Sequence, residues 1–313
     1  MTKIDLITGF LGSGKTTFLK LYADYLINRG EKIGILENDY GAVNVDMMLL
    51  SDLEGDSCKL EMVSGGCCSD CHSRRFKTKL IALGMSGLDR VVVEPSGIFD
   101  VDEFFDALQE EPLNHMYEIG NVIAIVDANL DPQLSDTSTY YLASQIASAG
   151  VILLSKSQLV DTCVVDSTIK TLYDALSTLK VSRNIDNITN YNNWSSFTDN
   201  DFEKISTSGY NLASYTKSIV GQDAPYSSVY FLELPLSTAT IKSKIRTLFE
   251  SDEYGSIFRI KGFYQENDEW FEVNSTRNEF TIKNISNGQD VLIVIGENLV
   301  TDKIEEFMKN KGE

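Results

Sequence analysis

The chain has 313 residues, more than one compact domain usually contains, and 42% of them are hydrophobic, so we expect two domains with separate cores. Its 46 acidic and 27 basic side chains give a formal net charge of −19. This charge repels phosphate backbones and anionic lipid headgroups, which argues against nucleic acid as a partner. No stretch of about eighteen apolar residues is present to span a bilayer, so no membrane partner is expected.

The first residues and the cysteines predict a cytoplasmic protein. A glycine-rich motif begins nine residues from the start, which leaves no room for a cleavable signal peptide. Three of the five cysteines (Cys67, Cys68 and Cys71) crowd into one segment instead of forming a spaced disulfide framework. Clustered thiols in a reducing compartment indicate metal ligands or redox groups. Cys58 and Cys163 stand alone and are expected to be small buried hydrophobic residues.

Short apolar runs alternate with helical patterns over the first two thirds of the chain, which predicts βαβ units and a mostly parallel sheet. The predicted elements are the strand Ile4–Thr8, the helix Thr16–Asn28 and the strands Lys32–Glu37, Arg90–Glu94, Val122–Asp127 and Val151–Ser155. From about Val181 to Pro225 the chain is polar and rich in Asn, Ser and Thr. This composition indicates the end of a first domain followed by a linker.

After Pro225, strands cluster between two helices, which predicts a smaller α+β domain. The predicted elements are the strand Ser228–Leu234, the helix Thr238–Phe249, the strands Ile257–Tyr264, Glu269–Asn274, Glu279–Lys283 and Asp290–Ile295, and the helix Thr301–Lys309. The predicted fold is therefore an α/β domain over residues 1–210 and an α+β domain over residues 226–313.

A phosphate-binding motif spans Gly9–Thr16 (GFLGSGKT), with Walker A spacing between an apolar strand and a helix. Backbone N–H groups of such a loop surround phosphates, and the helix N-terminus adds partial positive charge. Lys15 is predicted to neutralise the β- and γ-phosphates, and Thr16 to hold Mg²⁺. The predicted phosphate-binding residues are Gly12, Ser13, Gly14, Lys15, Thr16 and Thr17. The motif indicates a P-loop nucleoside triphosphatase.

Two acidic strand ends support this interpretation. The apolar strand ending in VVVEPSG places Glu94 within reach of Mg²⁺, and the N–H of Gly97 can meet a γ-phosphate. The second strand ends in ENDYG, where Asp39 or Glu37 can position Mg²⁺ or the attacking water. An ordinary polar turn explains ENDYG equally well. Glu94 and Asp39 are the candidate catalytic residues.

The cysteine segment (GGCCSDCH) places three thiols within five residues, which suits a soft or borderline cation. Adjacent residues on an extended backbone point in opposite directions, so Cys71 with either Cys67 or Cys68 is the better pair of ligands. Further ligands are expected from His72, Glu37, a dimer partner or water. Thiolate ligands favour Zn²⁺, and Co²⁺ and Ni²⁺ are alternative candidates for the bound ion. A redox-active or buried cluster is the alternative.

Together these motifs resemble the CobW-type metallochaperone GTPases, relatives of the urease and hydrogenase nickel-insertion GTPases. The similar segments are GFLGSGKTT in the P-loop, ENDYGAVNVDMMLL in the switch, VVVEPSG in the Walker B region, AIVDA, and RIKGF and VLIVIGENL in the C-terminal domain. The resemblance covers nearly the whole chain. It implies a GTPase with Mg²⁺ that carries a transition metal to an unidentified client metalloprotein. No arginine finger is identifiable, so hydrolysis is expected to be slow.

The sequence departs from the family at several positions. CCSDC stands in place of the usual GCxCC, and Cys67 aligns best; Ala42 replaces a glutamate; the histidine-rich stretch of some members is absent. The guanine-reading NKxD is replaced by SKSQ at residues 155–158. Gln158 accepts hydrogen bonds from guanine less strongly than aspartate does, so ATP is an alternative to GTP as the bound nucleotide. Lys156 is still expected to pack on the base.

Two other functions compete with this interpretation. A nucleotide-gated activator of a corrinoid or redox enzyme would use its thiols structurally, and it would bind a client without metal. A small-molecule kinase would hydrolyse nucleotide only when an acceptor is present.

Overall fold

The computed structural model describes residues 1–38, 45–63, 69–213, 226–234, 236–286 and 288–310, and for residues 45–47 and 69–70 the backbone alone. The chain divides into two compact units, Met1–Ser218 and Ile219–Glu313. Among the described residues, no helix is both long and apolar enough to cross a membrane.

The first unit alternates strands with helices. Its strands are β1 (Thr2–Gly9), β2 (Ile33–Asn38), β3 (Cys58–Val63), β4 (Arg90–Pro95), β5 (Tyr117–Asp127), β6 (Val151–Ser155) and β7 (Thr189–Asn190). Its helices are α1 (Lys15–Asn28), α2 (Val45–Leu50), α3 (Ser69–Gly84), α4 (Val101–Gln109), α5 (Leu113–Met116), α6 (Asp136–Ser148), α7 (Thr162–Thr178) and α8 (Asp199–Ser206).

The strands form one sheet with the order β3-β2-β4-β1-β5-β6-β7, and each neighbouring pair is parallel. The predicted α/β fold with a mostly parallel sheet is confirmed. In such sheets ligands bind at the carboxyl ends of the strands, near the point where the chain reverses its direction of winding. The P-loop follows β1 at this edge.

Helices cover both faces of the sheet. Because side chains alternate along a strand, Val91 and Val93 of β4 join the core beneath α3, α4, α6 and α7, whereas Val92 joins the core beneath α1 and α8. The central strands β2, β4 and β6 are buried on both sides, which explains why their sequences are mostly continuous apolar runs.

The polar stretch after Val181 contains ordered structure that the sequence did not predict. Strand β7 pairs with β6, and α8 begins with a capping box in which Thr198 and Asp201 bond reciprocally. Phe202 of α8 stacks on Tyr25 of α1, with 5.1 Å between ring centroids. The first unit therefore includes most of the stretch that its composition marked as polar.

A buried polar network crosses the amino-terminal half of the sheet. Asp5 is fully buried, and its carboxylate accepts hydrogen bonds from Arg90 Nη1 at 2.7 Å, from the Tyr22 hydroxyl at 2.8 Å, and from the backbone N and Nδ2 of Asn121 at 2.8 and 2.9 Å. Burial lowers the pKa of Arg90, but the Asp5 charge, the nearby Tyr22 and the hydrogen bonds to Glu31 and Asp5 together raise it overall, so the guanidinium stays charged. The network joins β1, α1, β4 and β5.

The second unit is an antiparallel sheet with two helices, as the predicted α+β class requires. Its strands are β8 (Tyr226–Leu232), β9 (Ser256–Glu266), β10 (Glu269–Thr276), β11 (Glu279–Ile285) and β12 (Val291–Glu297), in the order β11-β10-β9-β12-β8. Its helices are α9 (Thr238–Glu250) and α10 (Thr301–Lys309). Asn267 and Asp268 turn between β9 and β10 in the left-handed conformation that short hairpin loops need. Lys244 Nζ of α9 donates to the Asn310 carbonyl after α10 at 2.8 Å.

Candidate functional site

The P-loop connects β1 to α1 at the carboxyl edge of the parallel sheet. Gly14 caps α1 in the left-handed conformation, with φ 98° and ψ 19°. Glycine adopts this conformation without strain and has no side chain that could cap the helix, so the first N–H groups of α1 point into the loop. A helix N-terminus of this kind is suited to phosphate.

The other residues of the predicted phosphate site differ in burial. Lys15 is buried, with 6% of its surface exposed, and Thr17 is exposed on the first turn of α1. Ser13 Oγ is buried and has no hydrogen-bond partner among the described residues. Gly12 offers its carbonyl to Lys156 Nζ at 3.4 Å. A buried hydroxyl without a partner is costly, so the loop favours a polar ligand.

Thr16 and Glu94 meet at the ends of α1 and β4. The Thr16 hydroxyl donates to Glu94 Oε1 at 2.9 Å, although the two residues lie far apart in sequence. Glu37 at the end of β2 is the register partner of Glu94, and both carboxylates are buried. Side chains at paired positions of parallel strands lie on the same face of the sheet. Three hard oxygen donors therefore converge beside the phosphate loop.

Gly97 lies against the P-loop at close range. A Cβ atom at this position would lie 2.6 Å from the backbone N of Leu11, so a larger residue requires the loop to move. Gln145 Nε2 of α6 donates to the Gly97 carbonyl at 3.1 Å, and Ser96 N donates to the Asn38 carbonyl of β2 at 2.8 Å. The segment that carries Gly97 thus touches both the phosphate loop and the end of β2.

Lys156 lies at the end of β6 in the left-handed conformation, with φ 57°. Its ammonium group donates to Asp127 Oδ2 at 2.8 Å at the end of β5, in addition to the P-loop contact already described. Gln158 is exposed and lines a cavity of about 530 Å³ that Asp166 and Tyr191 also line. This arrangement places the predicted base-reading segment directly beside the P-loop.

A family model described as CobW/HypB/UreG, nucleotide-binding domain, matches residues 3–182. The chain belongs to this family. The predicted resemblance is thereby confirmed, and the match covers the P-loop, both acidic strand ends and the SKSQ segment.

Two relatives from Escherichia coli (strain K12) are similar to this CobW/HypB/UreG member. The zinc chaperone YjiA is 33% identical over 167 residues, which cover 49% of each chain. The zinc chaperone YeiR is 33% identical over 159 residues, which cover 50% of this chain and 47% of the relative. The chain thus spans about half the length of the curated relatives that it matches.

A crystal structure of the Zn(II)-bound YjiA GTPase from E. coli covers 100% of this chain and 99% of its own, at 16% identity and a TM-score of 0.35. At a TM-score this low, the structural similarity adds nothing to the family assignment.

The predicted metal ligands of this family member lie mainly outside the described residues. Cys67, Cys68 and the predicted catalytic residue Asp39 are not among the residues that the structure describes. Cys71 is half-buried on the first turn of α3, and the next residue, His72, is buried with 2% exposed. Among the described residues, no group of three or more His, Cys, Asp or Glu side chains is arranged to hold a metal ion.

The two isolated cysteines differ from each other. Cys58 is buried at the start of β3, and burial, with smaller effects of the Glu54 and Asp24 charges, raises the pKa of its thiol to about 11. Cys163 is exposed, so its predicted burial is wrong. It lies on the first turn of α7, on the side of that helix that faces away from the core.

Sequence reasoning missed two residues at this edge of the sheet. Asp127 was part of the quoted AIVDA segment, but its ion pair with Lys156 joins two strand ends that only the fold brings together. Trp194 lies between Asn193 and Ser195 in the polar run after β7, three residues from Tyr191 and from Phe197, and its ring lies beside the P-loop. Aromatic residues at every third position of a polar run were the available signal.

Proposed function

We propose that this chain is a nucleotide-dependent metallochaperone, which binds GTP with Mg²⁺ at the P-loop, hydrolyses it, and delivers a transition metal to a client metalloprotein. The observation that carries the nucleotide half of this proposal is the contact between Thr16 and Glu94 beside the P-loop. Family membership and the names of the zinc-chaperone relatives support the metal half. A reducing cytoplasm suits the role, because it keeps thiols available as ligands.

The residues beside the P-loop fit a magnesium ion. Mg²⁺ prefers hard oxygen ligands, and Thr16 offers a hydroxyl while Glu94 offers a carboxylate. Glu37, the register partner of Glu94, adds a second carboxylate for the outer ligand shell. A magnesium ion held by Thr16 and Glu94 would supply positive charge to offset the negative charge of the transferring phosphoryl group.

The remaining steps are assigned to side chains and backbone groups of the chain. Lys15 binds the β- and γ-phosphates, and the N–H of Gly97 reports whether a γ-phosphate is present. Glu94 and Asp39 orient Mg²⁺ and the attacking water. Hydrolysis is slow, because no arginine finger has been assigned to stabilise the transferring phosphoryl group.

The pairing of β2 with β3 connects the nucleotide site to the predicted metal site. Asn38, the last residue of β2, pairs with Val63, the last residue of β3, and its carbonyl accepts from Ser96 N. The switch segment therefore leaves the sheet next to the strand that leads into the cysteine segment. A change at Gly97 or Asp39 on loss of the γ-phosphate reaches the thiols through this pair.

Zinc is the first candidate for the cargo, with Co²⁺ and Ni²⁺ as alternatives. We assign Cys71 and one of Cys67 or Cys68 as protein ligands. His72, Glu37, water or a second copy of the chain completes the shell. A site that two thiolates leave open can release its ion to a client, whereas a closed four-ligand site would retain it.

Titration of the reduced protein with Co²⁺ tests the metal site. About one ion per chain is expected, with the intense sulfur-to-metal charge-transfer absorption of thiolate ligation. Cys71→Ser should lose most of this absorption, since oxygen replaces a soft donor. Cys163→Ser is the matched control, because Cys163 is exposed on α7 and outside the proposed site. Equal spectra for both variants would remove Cys71 from the site.

The same titration repeated with nucleotide tests the switch. A triphosphate analogue with Mg²⁺ should change metal affinity by about 1–3 kcal/mol, and metal should change nucleotide affinity by the same factor. Identical metal constants in the apo, diphosphate and triphosphate states would refute the switch. Capture of a client by metal-free protein would instead favour the nucleotide-gated activator.

A further inference from the structure

The position of Trp194 follows from the order of the strands. Strand β7 lies parallel to β6, with Leu153 opposite Asn190, so the chain leaves β7 at the same carboxyl edge as the P-loop and Lys156. Trp194 comes four residues after the end of this strand. In parallel sheets this edge is where ligands bind.

The indole ring lies against the P-loop. A Cβ atom built at Gly14 would lie 3.5 Å from Trp194 Cη2 and 3.7 Å from Cβ of Ser155. The ring also packs edge-on against Phe18 of α1, with 5.3 Å between centroids. Trp194 thus lies beside the loop at the glycine directly before Lys15, where α1 begins, and occupies the space that a side chain at this position would enter.

The indole N–H has no acceptor in this position. Trp194 Nε1 is buried without a hydrogen-bond partner among the described residues, and so is the hydroxyl of Ser155 beside it. Leaving a buried N–H unsatisfied is costly, and native proteins rarely do so. Two such groups next to a phosphate loop indicate a polar ligand on this side of the loop.

Local hydrogen bonds hold the tryptophan in place. It begins a short 3₁₀ turn, Trp194–Ser196, which Asn193 caps by accepting from Ser195 N at 3.0 Å. Ser157 Oγ donates to the Tyr191 carbonyl at 2.5 Å, which joins the SKSQ segment to the turn. The indole is therefore positioned before any ligand arrives.

We propose that Trp194 forms a wall of the nucleoside subsite and contacts the base or ribose of a purine nucleoside triphosphate bound at the P-loop. This inference rests on the proposed function. With phosphates in the loop, the nucleoside extends along the side that carries β6 and β7, where Lys156 contacts Gly12 and the Trp194 ring lies beside Gly14.

Recognition by an indole has a consequence for the choice of nucleotide. Aromatic packing is tolerant of base identity, because every base has a π-face. A site that combines Trp194 with the neutral Gln158 holds purines by packing more than by the paired hydrogen bonds that select guanine. Both GTP and ATP are then ligands of the same subsite.

Nucleotide and inorganic tripolyphosphate together test this proposal, because tripolyphosphate has no nucleoside. In the full chain with Mg²⁺, Trp194→Ala should weaken GTP and ATP binding by about 5- to 150-fold, the range for loss of one base–aromatic contact, and should leave tripolyphosphate affinity unchanged. Trp194→Phe should lose less, since it keeps a ring. Lys15→Ala should weaken all three ligands.

The outcomes separate this inference from the proposed function. Unchanged GTP affinity in Trp194→Ala, or equal weakening of tripolyphosphate, would overturn the role of Trp194 while leaving the P-loop assignment intact. If the parent chain binds neither nucleotide nor tripolyphosphate, the proposed function itself fails, and this inference with it.

Fluorescence gives a second measurement should Trp194→Ala not fold. The chain has two tryptophans, and Trp270 lies on β10 of the second unit, so Trp270→Phe leaves Trp194 as the sole indole. GTP should change the emission of this variant more than tripolyphosphate does. Equal responses to the two ligands, or none to either, would contradict contact with the nucleoside.

Discussion

The two halves of the parallel sheet differ in whether their buried polar groups have hydrogen-bond partners. In the amino-terminal half, both oxygens of Asp5 receive two hydrogen bonds each, and Arg90 also donates to Glu31 at 3.0 Å. At the carboxyl edge, the buried polar atoms that lack hydrogen-bond partners among the described residues include Thr8 Oγ1, Ser13 Oγ, Asn38 Oδ1, Ser155 Oγ and Trp194 Nε1.

This difference indicates that the amino-terminal half stabilises the fold, whereas the carboxyl edge binds ligand. A satisfied buried network rigidifies a fold, whereas buried polar groups without partners are costly and are retained where a ligand uses them. Changes in the amino-terminal half should therefore alter the free energy of unfolding. Changes at the carboxyl edge should alter nucleotide binding and leave the fold intact.

The largest expected effect is at Lys15. Lys15→Ala should lower hydrolysis at least about a hundredfold, the scale for one lost electrostatic contact to the transition state, because the motif has no other cation. Triphosphate binding should weaken and the melting temperature should stay near that of the parent. Lys20→Ala, on the same helix, is the control and should keep full activity. Hydrolysis at the parental rate by Lys15→Ala would place the active site elsewhere.

In the amino-terminal half, Arg90→Met should destabilise the chain by about 3–5 kcal/mol, because it leaves the Asp5 carboxylate buried without its counter-charge. Urea unfolding of the two proteins measures this difference. Arg29→Met removes an exposed ion pair with Glu203 and a hydrogen bond to the Tyr25 hydroxyl at 2.7 Å, and should lower stability far less than Arg90→Met does. An Arg90→Met protein as stable as its parent would mean that the network does not hold the sheet together.

The smallest expected effect is on base selectivity at the carboxyl edge. Gln158→Asp should raise the preference for GTP over ATP about tenfold, or ~1.4 kcal/mol, since a carboxylate accepts two charge-assisted bonds from guanine. Competition binding with both nucleotides measures the ratio. If the parent already selects guanine strongly, Asp161 at the start of α7 is the next acid to substitute. Strong selectivity for adenine would overturn the assignment of GTP.

The parts of the fold that could be predicted are those in which the hydrophobic pattern of the sequence matches the burial of the element. Strand β6 was predicted with its observed limits, Val151–Ser155, because it is a short apolar run that is buried on both faces. Strand β5 begins earlier than predicted, at Tyr117, because its first residues are partly exposed and do not form an apolar run. Strand β7 is too short, and α8 too polar, to stand out in a segment rich in Asn and Ser.

The functional site also has features that could be predicted from the sequence and features that could not. The P-loop is a local motif, so its position between β1 and α1 could be read from the sequence. The pairing of Thr16 with Glu94 and of Lys156 with Asp127 depends on strand order, which no short segment encodes. Cys67, Cys68 and Asp39 lie outside the described residues, and their roles stay predictions.

The packing of α8 on α1 bears on how the chain matures as it leaves the ribosome. Phe202 covers the aromatic face formed by Phe18 and Tyr25, yet it is made long after them, and the family match ends before it at residue 182. Because domains generally fold as units, we expect the core around the helix that carries Lys15 to close only after these late residues have been made. We therefore expect a growing chain to bind nucleotide tightly only when the first unit is nearly complete.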